Sequence, residues 1–143
     1  MQPIIYKGGS HTDNKGTLRF VNEYDLTDVR RFYTIKHPDS SIIRAWQGHE
    51  KETNWFFPLQ GNFVVAWVKI DDFDNPSDNL KAEYQILKFD EAKVVCVPNG
   101  YANGLKALKS NWEIAIFSDL DLNKAVKEKR RYPADKWLNW NQF

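Results

Sequence analysis

The sequence predicts an all-β protein, a sandwich or barrel of short strands. Short runs rich in β-branched and aromatic residues recur along the chain, separated by Gly, Pro, Asn and Asp clusters. Aromatics make up 15% of the 143 residues, with six Trp, six Tyr and nine Phe. That abundance suits a β-rich core, an aromatic-lined pocket or a subunit interface. One stretch alone has clear helical spacing.

In chain order the strand signals fall at residues 2–7, 17–22, 29–36, 42–47, 55–59, 62–70, 83–89, 93–97, 104–109 and 112–117. Each is a β-branched or aromatic run that fits a pleated, half-buried surface. Residues 71–79, Asp-Asp-Phe-Asp-Asn-Pro-Ser-Asp-Asn, form a polar, exposed loop. The run Val94-Val95-Cys96-Val97 ends in Pro98-Asn99-Gly100, and a second apolar strand follows. Pro presets φ and Gly tolerates φ > 0, so the piece reads as strand, fixed turn, strand. The helical stretch is 122–129, with Leu122, Ala125 and Val126 at i, i+3 and i+4 and with Asp119 or Asp121 as its cap. The tail, Tyr132 to Trp140, is too aromatic for a disordered tag and is expected to dock on the body or on a partner subunit.

The length suits one domain spanning 1–143, and 42% hydrophobic with 27% charged residues is ordinary globular composition. A net charge of +1, from 20 basic and 19 acidic residues, gives no electrostatic footprint for nucleic acid. The one basic cluster, 127–131, contains Glu128 and reads as a solvated helix end. A single cysteine, Cys96, excludes an intrachain disulfide and a cysteine-based zinc site, and within Val-Val-Cys-Val it reads as an inert buried thiol. There is no charged-then-apolar leader and no run of 18 apolar residues, so the expectation is a cytoplasmic protein without membrane contact.

Two segments about fifty residues apart carry a resemblance. Arg44-Ala45-Trp46-Gln47-Gly48-His49, followed by Pro58-Leu59-Gln60-Gly61, and the Pro98–Gly104 segment resemble the two motifs of the cupin superfamily. More closely, the chain resembles the nucleotide-sugar (RmlC-like) branch, the dTDP-4-dehydrorhamnose 3,5-epimerases and dTDP-4-keto-6-deoxyglucose 3,4-ketoisomerases. Asp13-Asn14-Lys15-Gly16 is similar to their opening Asp-x-Arg-Gly turn, with Lys15 for Arg. Arg31-Phe32-Tyr33 is similar to the ketoisomerases' Arg-x-Tyr strand, and Arg44 to His49 to their Arg-Gly-x-His-x-His. Pro98 to Gly104 is similar to the epimerases' Pro-x-Gly-Phe-Ala-His-Gly. The resemblance runs from about residue 10 to 140. It implies a cupin-type double-stranded β-helix, or jelly roll, with a short C-terminal helix, and a homodimer.

The departures from that pattern are informative. Projected onto the motif spacing, the cupin metal positions hold Gln47, His49, Asn54 and Asn103. One imidazole and three amides do not make a metal site, so the protein is expected to bind no stoichiometric metal and to use no cofactor. The epimerases' base falls at Gln47, their Lys near Asn54 and their Tyr acid near Phe117. An amide cannot abstract a proton and Phe cannot donate one, so standard 3,5-epimerase chemistry is not expected. Of the ketoisomerases' two motif histidines, only the second, His49, survives.

His49 is therefore the candidate acid/base group, since imidazole titrates near cellular pH. Arg44 is the candidate anchor for a diphosphate or ketone, through bidentate hydrogen bonds. Arg31, Tyr33, Gln47 and Asn103 are the remaining candidate substrate contacts. Gln47 and Asn103 can equally bond to each other, and Tyr33 can simply pack in the core. His11 and His37 lie in loop-like sequence and take no role. The function implied is a sugar-nucleotide isomerase or epimerase-like enzyme acting on a dTDP-4-keto-6-deoxyhexose in surface-polysaccharide sugar biosynthesis. The rival reading is a binding or scaffold module that kept the barrel and lost the chemistry. A second proton-transfer group opposite His49, with Tyr33, Tyr101 and Glu113 as candidates, discriminates the two.

Overall fold

Alternation along the apolar strands dictates two faces per sheet, and the structure uses both. In the computed structural model, which describes residues 1–143, the elements are β1 Ile4–Lys7, β2 Gly9–Asp13, β3 Gly16–Phe20, β4 Arg31–Lys36, β5 Ile43–His49 and β6 Asn54–Gln60. They continue as β7 Phe63–Lys69, β8 Ala82–Leu87, β9 Lys93–Val97, β10 Tyr101–Ala107, β11 Glu113–Ser118, α1 Leu122–Lys127 and β12 Arg130–Arg131. One antiparallel sheet has the order β1-β9-β6-β11-β4 and the other β12-β5-β10-β7-β8. The two enclose a core of Phe56, Phe63, Val65, Trp67, Leu87, Val95, Val97, Leu105, Ile114 and Ile116, with Tyr33 and Ile35 packed against it. This is the all-β sandwich that the strand pattern predicts, in the jelly-roll form that the cupin resemblance implies.

The turn after β9 forms as its residues require, with Gly100 at φ +91°. The strand that follows begins at Tyr101 rather than at 104. Asp121, not Asp119, caps α1, its carboxylate accepting from the Lys124 N–H at 2.9 Å. Two strands escape the sequence pattern. β2, Gly-Ser-His-Thr-Asp, has no apolar alternation, so His11 lies on a strand rather than in a loop. β12 is two arginines paired to Gly48 and Gln47 of β5, which corrects the reading of 127–131 as a purely solvated helix end. The backbone ladder, not side-chain burial, places it.

The tail docks on the chain's own body. Trp46, Val64, Ala66, Val68 and Ala102 on the outer face of the second sheet are covered by Trp137, Leu138, Trp140 and Phe143. The Trp46 and Trp140 indole N–H groups donate to the Ala134 carbonyl at 3.1 and 2.9 Å, and Lys106 Nζ donates to the Trp140 and Phe143 carbonyls. Gly104 permits this approach, because a Cβ there would lie 2.6 Å from the Trp140 ring. Cys96 is fully buried and burial pushes its thiol up to about 12, so it stays protonated. No helix is long and apolar enough to cross a membrane.

Candidate functional site

Cross-strand neighbours share a face, so the register identifies what points into the barrel. Tyr101 and Leu105 of β10 belong to the inner core, and His49 and Gln47 stand opposite Tyr101 and Asn103. On β4 the half-buried residues are Arg31, Tyr33 and Ile35. On β6 and β11 the inward positions at this end are Asn54 and Ser118, which pair with each other. The polar inward residues thus gather at one end of the barrel, beyond an apolar floor.

Glu52, in the connection between β5 and β6, joins them. It is 3% exposed. Its Oε1 accepts from Ser118 Oγ at 2.5 Å, Arg31 Nη2 at 3.2 Å and Asn54 Nδ2 at 3.2 Å. Asn103 Nδ2 donates in turn to Asn54 Oδ1 at 3.3 Å. Glu52 Oε2 lies 3.2 Å from His49 Nδ1. Glu128, the C-cap of α1, brings Oε1 to 3.7 Å from the same nitrogen. The Nδ1–H direction aligns with neither carboxylate, so the attraction is between charges rather than along a directed hydrogen bond.

Titration follows from these contacts. Burial raises Glu52, but the pairing with His49 and the hydrogen bonds from Ser118 and Asn54 dominate together and hold it at about 2. Burial lowers His49, but Glu128 and Glu52 together outweigh it and raise the imidazole above its ordinary value. Nδ1 is buried against the two glutamates, whereas Nε2 takes no protein hydrogen bond and reaches solvent. The ring is thus gripped on one nitrogen and free on the other.

Tyr33 lies beside this network, with the Arg31 guanidinium 5.0 Å from its ring centre. Burial, and then the Glu52 charge, raises its phenol, so it stays a proton donor. Tyr101 faces His49 across the β5–β10 ladder. Glu113 pairs with Gln60 and Lys36 at the far end of β11, away from the site. Tyr101 also lines a cavity of about 310 Å³ with Trp67, Lys69, Lys81 and Glu83, which opens at the same end of the barrel. Its volume is at the lower end for a small-ligand site.

Arg44 is not brought to His49. It lies five residues back along β5, roughly 16 Å away at strand rise. It is exposed and makes no ion pair, so no carboxylate claims it. Its charge, after burial, depresses the His37 imidazole, which is 2% exposed with both nitrogens unpartnered. Gln47 and Asn103 face each other across the ladder, but Asn103 bonds to Asn54. Phe117 is outside the barrel, stacked on Phe32 at 5.8 Å. Strand alternation makes Ser118 the inward residue, so the projected loss of a Tyr acid at 117 does not describe this site.

Glu52, Glu128 and Ser118 are site residues that the sequence reading missed. Glu52 sits in the polar run His-Glu-Lys-Glu-Thr-Asn and Glu128 between two lysines, where no periodicity separates a buried carboxylate from a solvated one.

Solved structures share this architecture. A 3,4-ketoisomerase from Helicobacter canadensis superposes with a TM-score of 0.70 at 14% identity, over 92% of each chain. The RmlC epimerase of Mycobacterium tuberculosis gives 0.78 at 14% identity, over 96% of this chain and 74% of that one. QdtA, a sugar 3,4-ketoisomerase from Thermoanaerobacterium thermosaccharolyticum solved with TDP, gives 0.66 at 16% identity over 87% and 85%. The chain has the RmlC-like cupin fold. No family model matches the sequence. Among curated proteins it is 24% identical over 133 residues to threonine–tRNA ligase 2, cytoplasmic, of Xenopus tropicalis, spanning 73% of this chain but 16% of the ligase. Within the RmlC-like frame, His49 occupies the inner wall at one barrel end, with Arg31, Tyr33, Asn54 and Asn103 around it.

Proposed function

We propose that this RmlC-like cupin is a sugar-nucleotide isomerase or epimerase-like enzyme acting on a dTDP-4-keto-6-deoxyhexose in surface-polysaccharide sugar biosynthesis. The observation that carries the reading is His49, held on Nδ1 by buried carboxylates and free on Nε2. A 4-ketosugar has an acidic hydrogen at C3. His49 Nε2 takes that proton, and the C–H electrons form the C3–C4 double bond as the ketone becomes an enediolate. Return of the proton at C4, with transfer of the O3 proton to O4, leaves the ketone at C3. No atom is gained or lost. A proton delivered to C3 from the opposite face by a second acid, while His49 keeps the first, gives the C3 epimer instead. Tyr33, kept protonated, is the candidate donor between the two oxygens.

The cavity beside Tyr101 supports a place for the nucleotide, with Trp67 and Tyr101 as apolar walls and Lys69 and Lys81 for phosphate charge. Arg44 has no carboxylate partner and its charge acts on the Tyr33 phenol, which suits a ketone oxygen or the diphosphate of the ligand. In this reading the chain works in the cytoplasm as a homodimer. Phe32, 68% exposed and stacked on Phe117, gives the outer sheet face an apolar surface for a second copy to cover.

A thermal-shift panel of dTDP- and UDP-hexoses at millimolar concentration tests the ligand class. A ligand at a hundredfold excess over Kd adds about 2.7 kcal/mol, a rise of roughly 5–10 °C. No shift with any member contradicts a nucleotide-sugar ligand.

A further inference from the structure

Two glutamates converge on His49 from different parts of the chain, Glu52 from the β5–β6 connection and Glu128 from the end of α1. Each commits one oxygen to the protein. Glu52 Oε1 accepts from Ser118, Arg31 and Asn54, and Glu128 Oε2 accepts from the Lys51 N–H at 2.8 Å. That leaves Glu52 Oε2, Glu128 Oε1 and His49 Nδ1 facing one another. The three residues can each place a ligand atom within 4.8 Å of the others. His49 is 8% exposed, and both its Nδ1 and Glu128 Oε1 are buried without a hydrogen-bond partner.

We propose that His49 Nδ1, Glu52 Oε2 and Glu128 Oε1 bind one divalent transition-metal ion. Three donors about 2.1 Å from a tetrahedral centre stand about 3.4 Å apart. The distances from Nδ1 to the two oxygens, 3.2 and 3.7 Å, bracket that spacing. One imidazole and two carboxylates form an N/O set suited to zinc, manganese or ferrous iron. The committed oxygens orient both carboxylates, as outer hydrogen bonds do around metal centres. A proton on Nδ1 is the competing occupant, but it leaves Glu128 Oε1 without a directed bond. The set shares His49 with the cupin metal positions but replaces the amides of Gln47, Asn54 and Asn103, on which the expectation of no metal rests, with two carboxylates. An ion on Nδ1 would fix the imidazole's one proton on Nε2 and leave that nitrogen unable to accept another, so the ion inhibits rather than assists the proposed chemistry. The binding itself does not rest on the isomerase reading.

The test is isothermal titration of the tag-free, chelator-treated full chain with zinc and with manganese, without substrate, alongside visible spectra with cobalt(II). The expected result is one zinc per chain with Kd in the micromolar range or tighter. Binding should weaken at least tenfold in Glu128→Gln, with loss of the cobalt bands. If Glu128→Gln does not fold, His49→Asn gives the same comparison. No stoichiometric binding, or unchanged affinity in whichever of these variants folds, overturns the proposal.

Discussion

If the protein is the proposed isomerase, His49→Asn is expected to lower turnover of dTDP-4-keto-6-deoxyglucose by roughly 10²–10⁴-fold, the usual contribution of a general acid–base group. Asparagine keeps the size and some hydrogen bonding but has no titrating nitrogen. The loss falls on kcat, because the cavity of Trp67, Lys69, Lys81 and Tyr101 and the unpaired Arg44 are untouched. Steady-state kinetics with a thermal shift by the nucleotide separates the two effects. A variant that keeps most of its turnover places the base elsewhere. One that loses its fold makes His49 a structural residue, clamped between Glu52 and Glu128.

Glu52→Ala has the largest expected effect on stability. Its carboxylate holds Arg31, Ser118 and Asn54 on one oxygen and faces His49 with the other. Removing one partner of a buried charge network leaves the others uncompensated, at about 3 kcal/mol, the lower end because Arg31 keeps 24% of its side chain in solvent. The penalty depends on pH. Glu52 is lowered from 4.5 to about 2, so its contribution is fully present above pH 4.5 and fades as pH falls toward 2. Chemical denaturation in the presence of a chelator, at pH 7 and near pH 3, should show the gap between wild type and Glu52→Ala narrowing at the lower pH. An equal gap at both pH values rules out ionised Glu52 as the source of the stability.

What the sequence revealed and what it hid follow from the range of the interactions involved. β9 and its turn are written locally, in four consecutive apolar residues and a Pro-x-Gly that the backbone obeys at Gly100. α1 is equally local, with spacing and an Asp cap together. β12 is not, because two arginines carry no strand signal until β5 offers them a ladder. The same division runs through the site. His49, Arg31 and Asn103 are visible in motif-like segments, and the structure brings the first two together on Glu52, with Asn103 linked through Asn54. Glu52 meets Ser118 across 66 residues, and Glu128 reaches His49 only because α1 turns back over the barrel end. Arg44 shares a motif with His49 yet lies five residues back along the same strand, and its charge acts on Tyr33 and His37.

The central claim is that His49 moves a proton next to a ketone. The most direct measurement is incubation of the protein with dTDP-4-keto-6-deoxyglucose in deuterated water, followed by NMR. The predicted result is deuterium entering the carbon beside the carbonyl, with a 3-keto or epimeric product appearing, and both lost in His49→Asn. A sugar nucleotide that stays unchanged, with its protium retained under saturating protein, contradicts the account and leaves a barrel that binds without reacting.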